Sequence, residues 1–261
     1  MVWRVDVPTT LALQIAPAES AGHRSAETLS IRLDDTEVEP REVATPHGGR
    51  LHLVEAVPGQ LLIDLTATVE PAGPAEPEDG ADDPGWDAEG LAYVLQSRYC
   101  PSDALAGFAQ TELGGRTPTE VGDWVFGRLA YRLGLSTPST TAVETLGAGA
   151  GACRDFAHLV ATLLRANGIP ARLVAVYAPG LTPMDFHAVV EARVEGRWQL
   201  IDATRLAPRQ SLVRIATGRD AAETAFATTL AGDAELLQME VTAYTDGALP
   251  LDDHQSIVTL P

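Results

Sequence analysis

The 261-residue chain is predicted to fold as an α+β protein, and three observations carry that expectation. A helix-type spacing of apolar residues starts at Cys153. Period-two alternation follows in neighbouring stretches, and a series of short β-rich segments precedes the helix with no helical pattern of its own.

Residues 1–70 supply those β-rich segments. Positions 11–15, 29–33, 51–54 and 61–69 are strand-like and are separated by Pro, Gly and acidic turns, which predicts a small N-terminal β domain. Residues 71–90 (PAGPAEPEDGADDPGWDAEG) are rich in proline, glycine and acid. Such a composition buries too little apolar area to offset its ordering entropy, so it is expected to be a linker or loop. Residues 91–261 then form the part that carries the chemistry. From 91 to about 135 the pattern is mixed and helical, with Val121, Trp124, Val125 and Leu129 on one side; this face packs and has no assigned chemistry.

A glycine-rich approach, Gly147-Ala148-Gly149-Ala150-Gly151-Ala152, leads into Cys153. Beyond it Phe156, Leu159, Val160, Leu163 and Leu164 follow the i, i+3, i+4, i+7, i+8 pattern that turns one stripe of a helix toward a core. Asn167 and Gly168 can take the left-handed conformation that ends a helix, and Pro170 forbids resumption, so the helix runs from about 153 to about 166. Cys153 is thereby placed at a helix N-terminus, where unsatisfied N–H groups favour a thiolate.

Residues 172–177 are rich in β-branched and aromatic side chains and predict a strand. Residues 186–194 alternate with period two, Glu195-Gly196 signals a turn, and 197–204 alternate again. With a two-residue hairpin loop Val194 faces Arg197 and Val189 faces Asp202, which makes His187 and Asp202 diagonal neighbours roughly 7 Å apart at the backbone. A three-residue loop would instead turn Asp202 to the other face. Residues 235–245 alternate once more and predict a last strand.

A thiol needs a base to hold it as thiolate and later to protonate a leaving amine, and an imidazole needs a carboxylate to fix its tautomer. Cys153, His187 and Asp202 supply those three types in that order of contact.

The segments GACRDFAHLVATLLRANGIPAR around Cys153, FHAVVEA around His187 and WQLIDATRL around Asp202 resemble the transglutaminase-like superfamily, in particular its bacterial cysteine protease branch. The resemblance extends to Ser97-Arg98-Tyr99-Cys100-Pro101-Ser102 upstream and Ala216-Thr217-Gly218-Arg219-Asp220 downstream, covering about residues 90 to 240. It implies a papain-like transglutaminase core, with the nucleophile-bearing helix on an antiparallel sheet and often an N-terminal β region before it. By that similarity Cys153 is the nucleophile, His187 the acid/base and Asp202 the orienter. The family often has Trp where this chain has Val189 and Pro where it has Ala203, so substrate choice does not carry over.

The expected activity is cysteine-dependent acyl transfer on amide substrates through a thioester, as a protease or amidase or as a protein-glutamine transferase. The alternative is a non-catalytic binding or scaffold module on the same fold, since a lone cysteine is usually an inert core residue. The backbone N–H of Cys153 is the natural first donor to an oxyanion. The second is not identifiable: Trp124 or Gln110 could supply it, but each is better read as a packed or surface residue.

No cofactor and no metal are expected. The glycine-rich run lacks the Lys-Ser/Thr of a phosphate-binding loop and the preceding strand of a dinucleotide fold. A metal site around Cys153 and His158 would need ligands from a sparse supply of His187, Asp185 and Asp155. His158 is better taken as a helix-face residue, and Asp155 as a favourable charge in the first helical turn or a partner of Arg172.

Eighteen basic residues stand against 36 acidic ones, a net charge of -18 that repels nucleic acid and anionic membranes, so neither is an expected partner. The expected acyl transfer makes a peptide or protein amide the expected substrate. The start Met1-Val2-Trp3-Arg4-Val5-Asp6 lacks a secretory pattern, and only two cysteines occur, so a cytoplasmic location is expected.

Overall fold

The computed structural model describes residues 1–19, 23–71 and 86–260. The linker expected at 71–90 therefore lies outside the described residues except at its two ends.

The N-terminal part is built from strands β1 (Val2–Val5), β2 (Thr9–Leu13), β3 (His23–Leu33), β4 (Thr36–Glu37), β5 (Arg41–Ala44), β6 (Arg50–Ala56) and β7 (Gly59–Pro71). β1, β7, β3 and β4 are neighbours in one antiparallel sheet, and β2, β6 and β5 in another. Alternation decides which way each strand faces: Leu61 and Ile63 are buried, whereas Leu62 and Asp64 are more exposed. Trp3, Leu11, Leu13, Ile31, Val54 and Leu61 come from both sheets into one shared core.

The second part contains α1 (Ala88–Val94), α2 (Ala106–Leu113), α3 (Pro118–Arg128), β8 (Ala130–Tyr131), α4 (Ala142–Ala148), β9 (Ala150–Gly151) and α5 (Cys153–Ala166). It continues with β10 (Ala171–Tyr177), β11 (Phe186–Val194), β12 (Arg197–Ile201), β13 (Val213–Gly218), α6 (Ala221–Thr224), β14 (Ala227–Ala231) and β15 (Ala234–Gln238). α3 starts where its sequence dictates: Thr117 and Glu120 bond reciprocally across the first turn, and Pro118 occupies a position that needs no N–H donor.

A four-stranded antiparallel sheet in the order β12-β11-β10-β13 lies against α5. Leu173, Val190 and Ile201 join the core around the helix, while Val174, Val189 and Leu200 enter a separate core that Leu212 and Leu260 complete. Both faces of the sheet are thus buried, and the C-terminal segment helps to cover the second one, with the Leu200 N–H donating to the Val258 carbonyl at 2.8 Å.

The apolar stripe of α5 is buried as its spacing predicts, but so is its other side. Asp155, His158, Thr162 and Arg165 are all within the interior. Arg165 is accommodated because its guanidinium donates to the carbonyls of Ala171, Leu95 and Arg219 and to the Ser97 hydroxyl.

The last two strands return to the N-terminal sheets, β15 beside β1 and β14 beside β2. The sequence predicts a strand over 235–245, whereas β15 ends at Gln238, which pairs with Val2; past that point β1 offers no further partner. β12 is likewise shorter than the predicted 197–204, because the Asp202 carboxylate turns back to Thr204 and ends the ladder.

Candidate active site

Cys153 is the first residue of α5 and is partly exposed. Ala152 before it has no side-chain oxygen with which to cap the helix. The reverse half of a capping box serves instead: Asp155, fully buried, accepts the Ala152 N–H at 2.8 Å through Oδ2. The glycines of the approach have local structural tasks. Gly149 takes a left-handed conformation (φ 65°) that closes α4, and Gly151 leaves room for Asp155.

His187 is the second residue of β11, and Asp202 follows the last residue of β12. Val190 lies opposite Ile201 and Val194 opposite Arg197, so the predicted register holds and Asp202 falls diagonal to His187. His187 Nε2 and Asp202 Oδ2 are 2.9 Å apart, and both residues are buried. The second carboxylate oxygen accepts from the Thr204 N–H at 2.8 Å and from its hydroxyl at 2.7 Å. Thr204 went unassigned in the sequence, although an Asp followed two residues later by Thr is a recurrent side-chain-to-backbone turn.

Burial by itself disfavours a charged imidazole at His187. The Asp202 carboxylate outweighs it through charge and hydrogen bond, Cys153 adds to the effect, and the His187 pKa rises to about 10. Asp202 moves the opposite way: burial pushes it up, but the His187 charge and the bonds from His187 and Thr204 hold it below the usual carboxylate range. The remaining ring nitrogen, Nδ1, is buried without a hydrogen-bond partner.

Tyr131 also reaches this site. β8 pairs in parallel with β9, Tyr131 opposite Gly151, and the Arg132 N–H donates to the Gly151 carbonyl at 2.8 Å. Burial raises the Tyr131 pKa to about 12, with the charges of Cys153 and Asp185 adding to it and the Cys153 backbone N–H opposing it. No sequence signal pointed to it, because two-residue strands have no periodicity to detect.

Gln110 is exposed on α2 and Trp124 packs edge-on against Phe108 with centroids 5.8 Å apart, the surface and packed positions expected of them. Two other expectations are corrected here. His158 is not a helix-face residue; it is fully buried, stacked on Tyr99 at 5.1 Å, and accepts the Ala221 N–H. Arg172 pairs with Glu191 and Glu89 rather than with Asp155. Among the described residues no group of three or more His, Cys, Asp or Glu could hold a metal ion.

Residues 103–203 match the family model of the transglutaminase-like superfamily core. A solved structure from Cytophaga hutchinsonii, named a candidate cysteine protease, is 32% identical and superposes with a TM-score of 0.85 over 98% of this chain and 93% of that one. The chain belongs to the transglutaminase-like superfamily. This transglutaminase-like chain is also 39% identical over 74 residues to the uncharacterized protein ML0607 of Mycobacterium leprae (strain TN), a match covering 28% of this chain and 25% of that protein. It thus spans about a quarter of the length of that curated relative. Its mixture of helices and antiparallel sheets is the transglutaminase-like fold, and no helix among the described residues is long and apolar enough to cross a membrane.

Proposed function

We propose that this protein is a cysteine-dependent amidase or protease that works through a thioester on Cys153, with His187 as acid/base and Asp202 as its orienter. The observation that carries this is one imidazole under two influences, hydrogen-bonded to Asp202 at 2.9 Å and raised in pKa by Cys153 as well. A protonated ring can deliver its proton to the departing amine.

In the first step the Cys153 sulfur bonds to the amide carbon, and the carbonyl electron pair moves onto oxygen. The oxyanion then collapses, the C–N bond breaks, and His187 gives its proton to the departing amine, leaving a thioester and a neutral imidazole. Water then attacks the thioester carbon while His187 takes its proton; the C–S bond breaks and the free acid leaves. The partly exposed thiol is open to water, which favours hydrolysis over transfer to an amine. The name of the Cytophaga protein agrees with this choice. The two free cysteines suit a reducing compartment such as the cytoplasm.

The test is to incubate the protein with glutamine-containing peptides and a labelled primary amine. Cleaved peptide or released ammonia without label supports hydrolysis, label incorporation supports transfer, and Cys153→Ala abolishes either. A Cys153 that iodoacetamide alkylates no faster at about pH 6 than an ordinary exposed cysteine would remove the enzyme assignment in favour of a binding module.

A further inference from the structure

We infer that the Tyr131 hydroxyl is a catalytic hydrogen-bond donor, the partner of the Cys153 backbone N–H in stabilising the oxyanion formed when the thiolate attacks a carbonyl. This rests on the acyl-transfer function proposed for Cys153.

The backbone places Tyr131 there. β8 and β9 form a parallel bridge with Tyr131 opposite Gly151, two residues before the nucleophile, and flanking bonds join Ala130 N–H to Gly149 O at 2.9 Å and Arg132 N–H to Gly151 O at 2.8 Å. The tyrosine ring packs against Phe156 in the first turn of α5, with centroids 6.0 Å apart. Backbone and ring are thus both tied to the segment that presents Cys153, while the residue stays 37% exposed.

The chemistry fits. Raised to about 12 by burial and by its charged neighbours, the phenol is protonated at neutral pH and can donate. Its interaction partners at Cys153 are the sulfur, to which the acyl carbon bonds, and the backbone N–H, the other donor, so the hydroxyl stands beside the place where the oxyanion forms. The other groups facing it are Asp185, whose charge disfavours a phenolate, and Phe156, which carries none. Trp124 packs edge-on against Phe108 and Gln110 is exposed on α2, whereas Tyr131 interacts with Cys153 itself. During attack no proton leaves the phenol; the carbonyl π pair becomes the oxyanion lone pair that accepts its O–H.

The test compares two reactions of Cys153 in the full-length protein. p-Nitrophenyl acetate acetylates the thiol through a tetrahedral oxyanion, and its nitrophenolate leaves without needing a proton. Iodoacetamide alkylates the same thiol by displacement, with no oxyanion. Tyr131→Phe keeps the ring and its packing but loses the donor. It is expected to slow acetylation by about 100-fold while alkylation stays within about threefold of wild type, since removal of one oxyanion donor costs about 100- to 1,000-fold elsewhere. Acetylation unaffected by Tyr131→Phe, or both reactions slowed equally, overturns the donor assignment. Failure of the ester to acetylate the wild-type thiol overturns it together with the acyl-transfer function. An unfolding midpoint matching wild type shows that a selective loss is not a folding defect, and Tyr131→Leu, which removes ring and hydroxyl, should slow acetylation at least as much.

Discussion

The carboxylate of Asp155 fills the volume that a side chain on Gly151 would need. An ideal Cβ there would lie 2.6 Å from the Asp155 Cβ and 2.8 Å from its Oδ2, the oxygen that accepts the Ala152 N–H. The turn presenting Cys153 is thus held by a glycine and a buried acid that fit only together.

Gly151→Ala is therefore expected to break this cap or shift the helix start. The cost of overpacking with loss of a cap is about 1–3 kcal/mol. Urea unfolding measures it, and iodoacetamide alkylation of Cys153 should change at the same time because the thiol moves with the turn. A variant as stable as wild type, with the same alkylation rate, would show that the contact is dispensable.

The parts of the site that were legible in the sequence are those set by local periodicity. The helix Cys153–Ala166 emerges from its apolar spacing and its stop signals. The His187–Asp202 pairing emerges from a hairpin whose two loop residues, Glu195 and Gly196, both take positive φ (51° and 74°), as a two-residue turn of that type demands. What was illegible depends on residues distant in the chain. The cover over the polar side of α5 comes from Ser97, Tyr99, Arg219 and Ala221, and the partners of β14 and β15 lie more than two hundred residues away, in β2 and β1. Tyr131 was hidden for a different reason, since a two-residue parallel bridge leaves no pattern.

Asp202→Asn should slow turnover by about 10,000-fold, the scale seen when a triad carboxylate loses its charge. Burial opposes protonation of His187 and the carboxylate outweighs it, so without that charge the His187 pKa must fall from about 10. Titration of the imidazole by NMR reads the fall directly. A pKa that stays in place would mean that Cys153, not Asp202, controls the ring.

The same pair predicts a pH dependence of stability. The folded His187 pKa is raised from 6.5 to about 10, so its contribution is complete below 6.5 and is lost as pH rises toward 10. Asp202 is lowered from 3.8, so its contribution is present above that value and is lost as pH falls. The difference in Tm between wild type and His187→Gln should be largest between those limits and shrink in alkali. A difference that widened from pH 6.5 to 10 would contradict the raised His187 pKa.

Glu191 offers the last prediction, one that separates stability from chemistry. It lies on β11 four residues beyond His187, fully buried, and accepts from Arg172 Nε at 2.7 Å and from the Arg214 guanidinium at 2.8 and 3.0 Å. Burial alone would raise its pKa, but the two arginines hold it low, so the carboxylate is charged at neutral pH. Glu191→Gln presents a neutral amide to both guanidinium groups, and breaking a buried pair from one side costs about 3–5 kcal/mol. Arg172 also sits 3.9 Å from the Trp198 ring and bonds to Glu89, contacts that keep it in place rather than replace the lost charge. Urea unfolding should therefore show a large loss of stability. Alkylation of Cys153 in the folded fraction should stay within about threefold of wild type, because the substitution touches neither the β11–β12 register nor the start of α5. A large loss of thiol reactivity in protein that is still folded would mean that the buried ion network and the His187 site are coupled through β11.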